Sequence, residues 1–169
     1  LIGLGPAFVT VENYEHLQLV LTEVLGFKLI DAEGSFHLFE VGEGGNGASI
    51  IVEHREDLPA AQEGYGNVHH LALRVADEEA LRFWIEKINR LEFPNSGFVE
   101  RFYFKSEYFL AATHVLFELA TDGPGFLEDE TYEHAGEKLS LPPFLEPKRA
   151  GIEEFVRPFD TSDANVQRN

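Results

Sequence analysis

The chain has 169 residues and carries 30 acidic against 13 basic side chains, a formal net charge of −17. Such a charge argues against nucleic acid or an anionic membrane as the main partner, since both call for a basic surface. Cysteine is absent, which excludes a disulfide framework, a thiolate metal site and a cysteine nucleophile. No apolar run approaches the roughly 18 residues of a membrane span. A chain without cysteine fits a reducing compartment, so a cytoplasmic protein is expected. The opening Leu1-Ile2-Gly3-Leu4-Gly5-Pro6 lacks the basic start of a signal peptide. Methionine is also absent, so Leu1 is not expected to be the translation start. A removed initiator and a fragment of a longer protein both account for that.

The predicted elements repeat along the chain. Phe8–Val11 reads as a strand and leads into Tyr14–Leu25, a helix with Leu17, Leu21, Val24 and Leu25 on one face. Gly26 ends it as a glycine just beyond a helix does. Three strand-like runs follow, Phe27–Ile30, Phe36–Val41 and Ala48–Val52, separated by Glu33-Gly34 and the Gly42–Gly47 cluster. Glu53–Gly66 is polar, contains Pro59, Gly64 and Gly66, and reads as a linker.

Sixty-four positions after the first strand the pattern returns as His70–Val75. Asp77 is placed to cap a helix over Glu78–Leu91, whose apolar face is Leu81, Trp84, Ile85 and Ile88. Phe98–Phe104, Tyr108–Ala111 and Val115–Ala120 follow as strands, with Lys105-Ser106-Glu107 read as a turn. Each half is therefore β-α-β-β-β. The expected fold is α+β: tandem βαβββ modules forming a curved mixed-sheet cup, with a C-terminal tail. The division is 1–53 for the first module, 54–65 for the linker, 66–121 for the second module and 122–169 for the tail. In that tail Leu141–Pro147 is extended, Lys148–Val156 forms a short helix and Thr161–Asn169 is a frayed polar end.

Chemistry concentrates in the second module. Along Val115–Ala120 the side chains alternate, so Leu116, Glu118 and Ala120 share a face. Glu118 then has apolar neighbours, and an unpaired buried carboxylate is costly. A metal ion would offset that cost, and so would an arginine, with Arg74 and Arg101 as candidates. His69 and His70 open a strand and are expected on opposite faces, so only one of them looks into the cup. One histidine and one carboxylate make two-thirds of the facial triad of non-haem Fe(II) oxygenases. In the first module Pro6 occupies the place of His70. His16 reads as exposed, His37 could face either side, His54 opens the linker, His114 lies at a turn and His134 lies in the acidic tail.

The doubled βαβββ unit with a strand-opening histidine and a strand-borne glutamate resembles the vicinal oxygen chelate superfamily of glyoxalases and extradiol dioxygenases. Leu21–Phe27, Val68–Val75, Arg101–Ser106, Leu116–Phe126 and Leu141–Pro147 are similar to the C-terminal half of hydroquinone ring-cleaving dioxygenases. The resemblance covers essentially the whole chain, most specifically after Val68. It implies that His70 and Glu118 ligate Fe(II), or Mn(II) in its place. It also implies that a third ligand comes from a missing N-terminal half or a partner subunit. His69, Arg101 and Tyr108 match positions that orient or protonate substrate, here a small aromatic diol cleaved with O2. The chain departs from the family at Leu110-Ala-Ala-Thr-His114, where relatives carry an acidic-Pro-Gly turn. Two other readings stay open. One is a glyoxalase-like metal-dependent lyase or isomerase, which would need a histidine where Pro6 stands. The other is a metal-free small-molecule binding module, against which the retention of both His70 and Glu118 counts.

Overall fold

The computed structural model describes residues 4–62 and 64–158. The expected polar end at Thr161–Asn169 lies outside the described residues. Among the described residues eight strands make two four-stranded sheets, accompanied by three α-helices, an α+β architecture.

The first sheet holds β1 (Ala7–Val11), β2 (Lys28–Glu33), β3 (Phe36–Glu40) and β4 (Ser49–His54), in the order β1-β4-β3-β2. β1 runs parallel to β4, with Val9 beside Val52, while β3 is antiparallel to both β2 and β4. A parallel pair needs a long crossover, and the helix between β1 and β2 supplies part of it. That helix, α1 (Tyr14–Leu19), starts where Asn13 Oδ1 accepts the His16 backbone N–H at 3.0 Å. It widens over Val20–Val24, where Leu25 N–H reaches the Val20 carbonyl, and closes at Gly26 with φ +79°, the left-handed value that glycine takes without strain. Leu17 and Leu21 are completely buried, as are Phe39 and Val52 on the facing strands. Each such side chain contributes roughly 1.5–3 kcal/mol of burial. The opposite face of the sheet stays open, and Phe8 and Phe36 meet there with ring centroids 5.9 Å apart.

The second sheet holds β5 (Leu71–Val75), β6 (Val99–Glu100), β7 (Lys105–Ala112) and β8 (Val115–Thr121), in the order β5-β8-β7-β6. This is the order of the first sheet repeated. β1 and β5 even share the same alternation of exposure, ending in buried Val11 and Val75. The repeat read from the sequence is thus a repeat of topology. It places the first and last strand of each set side by side.

Several boundaries differ from expectation: β2 runs on through Glu33, read as part of a turn, and Leu141–Pro147, read as extended, enters a 3₁₀ turn at Glu146. Lys105-Ser106-Glu107 is not a turn: it begins β7 and pairs with β6 through Val99 with Ser106 and Glu100 with Lys105. Its polarity suggested a loop, yet Ser106 and Glu107 are completely buried. The expected strand over Phe98–Phe104 shortens to Val99–Glu100. Beyond it the chain folds back, with Arg101 N–H donating to the Phe104 carbonyl at 2.9 Å and Phe102 at φ +71°. His69 and His70 precede β5 rather than opening it.

The chain forms two compact units. One comprises Leu1–Leu73, Lys87–Ser96 and Tyr108–Glu118, and the other Arg74–Glu86, Gly97–Glu107 and Leu119–Asn169. Their limits follow spatial clustering and not the sequence repeat. The second unit contains the start of α2 (Glu78–Arg90), capped as expected by Asp77, whose Oδ1 accepts the Ala80 N–H at 2.8 Å. There Glu78 binds both Arg82 and Lys105. The tail packs through Tyr103, which stacks on Phe126 and donates to Asp129 at 2.9 Å, and through buried Leu141. The short helix expected at Lys148–Val156 is a 3₁₀ turn over Glu146–Lys148 continued by α3 (Arg149–Phe155).

Candidate metal site

His70 and Glu118 meet within the first unit. Strand order explains it: His70 stands at the foot of β5, and Glu118 lies on the adjacent β8. His70 Nε2 lies 2.8 Å from Glu118 Oε2. The Glu118 side chain is 4% exposed and that of His70 is 32% exposed, so the pair is open only from the imidazole side. The other carboxylate oxygen of Glu118, Oε1, is buried and has no hydrogen-bond partner. A buried acceptor without a donor is expensive, and it calls for a partner such as a water or a cation.

Two further residues complete the group. The Tyr108 ring packs edge-on against His70, with centroids 5.4 Å apart and planes at 82°. Its backbone is held by Ser96: Tyr108 N–H donates to Ser96 Oγ and Ser96 N–H to the Tyr108 carbonyl, both at 2.9 Å. Spacing alone offered no sign of Ser96. His69 does not face away from His70 as an ideal strand would require. The two residues lie outside the ladder, and their Nδ1 atoms are 2.9 Å apart in a shared hydrogen bond. A cavity of about 850 Å³ opens beside them, lined among others by Thr10, Arg55, His69, His70 and His114.

Arg101 belongs to the second unit and is exposed. Arg74, the other arginine considered for Glu118, pairs instead with Asp122 at 2.8 Å. His37 stacks on Tyr14 with centroids 3.9 Å apart, which fixes it on the helix side of its sheet, and His54 ends β4 near the same ring. His16 is exposed as expected, yet its Nε2–H reaches the Ala111 carbonyl at 2.9 Å. His134 pairs with Glu137.

His70 and Glu118 fit a divalent metal: one imidazole nitrogen and one carboxylate converge, with an orphaned oxygen beside them. Among the described residues no set of three histidine or acidic side chains is gathered for a metal. Glu107 is the second buried acid. Neither of its oxygens has a partner, and burial pushes its carboxyl up to about 7. It lies on the same side of β7 as Phe109, away from Tyr108.

No family profile matches the chain. It is 46% identical over 161 residues to a Bacillus subtilis protein named "Putative ring-cleaving dioxygenase MhqA", a match that takes 92% of this chain and 51% of the relative. A second B. subtilis protein, named "Putative ring-cleaving dioxygenase MhqO", is 35% identical over 162 residues, covering 95% of this chain and 51% of that one. The crystal structure of a dioxygenase from the same organism, also titled "putative", superposes with a TM-score of 0.81 at 34% identity, over 92% of this chain and 50% of that one. A glyoxalase, bleomycin resistance and dioxygenase domain from Frankia superposes with a TM-score of 0.63 at 18% identity and shows the fold alone. The chain spans about half the length of the curated relatives it matches. The chain is thus similar in sequence to half of proteins named as putative ring-cleaving dioxygenases, and it shares the fold of glyoxalase and dioxygenase domains.

Proposed function

We propose that this chain is the C-terminal, metal-bearing half of a dioxygenase that cleaves hydroquinone-like rings, built from modules at 1–53 and 66–121. The observation that supports it best is Glu118: buried, with one oxygen 2.8 Å from His70 Nε2 and no hydrogen-bond partner at the other. His70 Nε2 and the Glu118 carboxylate would hold Fe(II), and a histidine from further chain or a partner subunit would complete the set. Bound there, Fe(II) supplies the electron relay between an aromatic diol and O2, because a triad of two histidines and a carboxylate leaves positions open for both.

The chain's own residues do the rest. A para-diol reaches a metal through one hydroxyl only, so protein groups must handle the other. Tyr108, against His70, offers a phenol for that purpose. Its main chain is fixed by the two hydrogen bonds to Ser96. His69 is assigned with it, and Arg101 is assigned from the sequence resemblance alone. A cytoplasmic setting belongs to the same reading.

The test is metal affinity and hydroquinone-dependent O2 uptake, measured on this chain and on a form extended at its N-terminus. His70→Ala and Glu118→Gln should each weaken divalent metal binding at least tenfold, and the extended form should turn over faster than the chain as given. Equal activity in both forms would sink the half-enzyme idea. Unchanged metal affinity in both variants would sink the site. Zinc or nickel retention with isomerase activity would move the reading to a glyoxalase-like enzyme.

A further inference from the structure

We propose that the open face of the first sheet is a docking surface, and that its occupant is the further half carried by the longer relatives, reaching it from the side of Leu4. The inference rests on the reading of this chain as half of a larger enzyme. It gives the first sheet a part of its own, separate from the metal donors.

Strand register fixes which side chains share that face. Phe8 lies beside Ile51, Ile51 beside Leu38, and Leu38 beside Asp31. One step along, Thr10 lies beside Glu53, Glu53 beside Phe36, and Phe36 beside Glu33. Residues two apart on a strand point the same way, so both rows look out of one face. His37, between Phe36 and Leu38, looks the other way and stacks on Tyr14. Phe8 is 57% exposed and Phe36 43%, while Ile51 and Leu38 are half-buried. A sheet face that meets water normally carries polar side chains. Here four apolar ones adjoin instead. An apolar patch rimmed by polar groups marks a surface that another chain covers.

Two observations name the occupant. The first is position. β1 is an edge strand, and the chain arrives at it through Leu4, Gly5 and Pro6, all exposed. Chain continuing back from Leu4 therefore starts a few residues from Phe8, and consecutive elements favour such short connections. The matches take 51% of each curated relative, so as much chain again has to find a seat. The second is charge. Asp31, Glu33 and Glu40 edge the patch, with Lys28 beside Glu40. Glu53 is already met by Thr10 at 2.8 Å and by Arg55 at 3.3 Å. A second copy laid face to face would set carboxylates against carboxylates, which disfavours that partner. The occupant is an apolar surface edged with lysine or arginine.

The chain contains no cysteine, so an introduced one is a clean probe of this part of the protein. Thr10→Cys and Phe36→Cys put a thiol on the open face, and Glu15→Cys puts one at an exposed position of α1. Each is made in the chain as given and in the form extended at its N-terminus. Maleimide uptake at that residue is timed by peptide mass. In the chain as given all three should react freely. In the extended form the two face cysteines should slow about tenfold or more, and Glu15→Cys should keep its rate. Face cysteines that keep their rate in a folded extended form overturn the proposal. So does slowing in the chain as given that grows with protein concentration, which puts a second copy on the face. Protection without a gain in hydroquinone-dependent O2 uptake sustains the docking surface and removes the dioxygenase reading. A gain without protection does the reverse.

Discussion

Two buried glutamates sit in one sheet and call for opposite explanations. Glu118 has His70 for a partner and an oxygen to spare, so its burial suits a metal. Glu107 has no partner at either oxygen and faces the side of Phe109. Its carboxyl titrates near 7 against 4.5 for a free glutamate, and burial is the cause. A folded state that holds a proton the unfolded chain has released is stabilised at low pH. Glu107 therefore weakens the fold as pH rises from 4.5 to about 7, and its cost levels off above that. The full cost is about 3 kcal/mol. Glu107→Leu should recover up to that amount at alkaline pH and flatten the profile. Urea midpoints from acid to alkaline pH check it, and an unchanged slope would mean that the carboxyl finds a partner.

At the scale of elements, the site follows from strand order. Each set of four strands is arranged first-last-third-second, so a residue just before the first strand and one on the last become neighbours. The β7–β8 turn is where this chain departs from the acidic-Pro-Gly pattern it resembles. His114 takes φ +60° there, a left-handed value that costs a residue with a Cβ roughly 1 kcal/mol. His114→Gly should accordingly raise stability by up to about 1 kcal/mol, less the extra freedom glycine gains when unfolded. Thermal unfolding of the two forms measures it. A loss larger than that would show that the imidazole, which lines the cavity, holds a contact of its own.

At the scale of the whole molecule, charge and length dominate. A net charge of −17 on 169 residues repels itself in the compact state. Salt screens that repulsion over about 8 Å at physiological strength. Raising NaCl from about 20 mM to about 500 mM should lift the unfolding midpoint by roughly 3 °C, and a fall would mean that exposed ion pairs such as Arg149 with Glu146 outweigh the excess charge. The sequence by itself determined the repeat, the helix faces, the Asp77 cap, the Gly26 stop and the choice of His70 and Glu118 as the residues to watch. Those are local properties: periodicity, capping and glycine freedom act over a few residues, and strand alternation assigns a face. Only the tertiary structure decided that Lys105-Ser106-Glu107 is strand, since burial by neighbours outweighs polar composition. It alone turned His69 onto His70, which an ideal strand would have kept on opposite faces, and put Ser96 behind Tyr108. It also left Glu118 with one oxygen unsatisfied. Such facts depend on contacts between residues far apart in the chain, and no spacing along a single sequence encodes the distance between them.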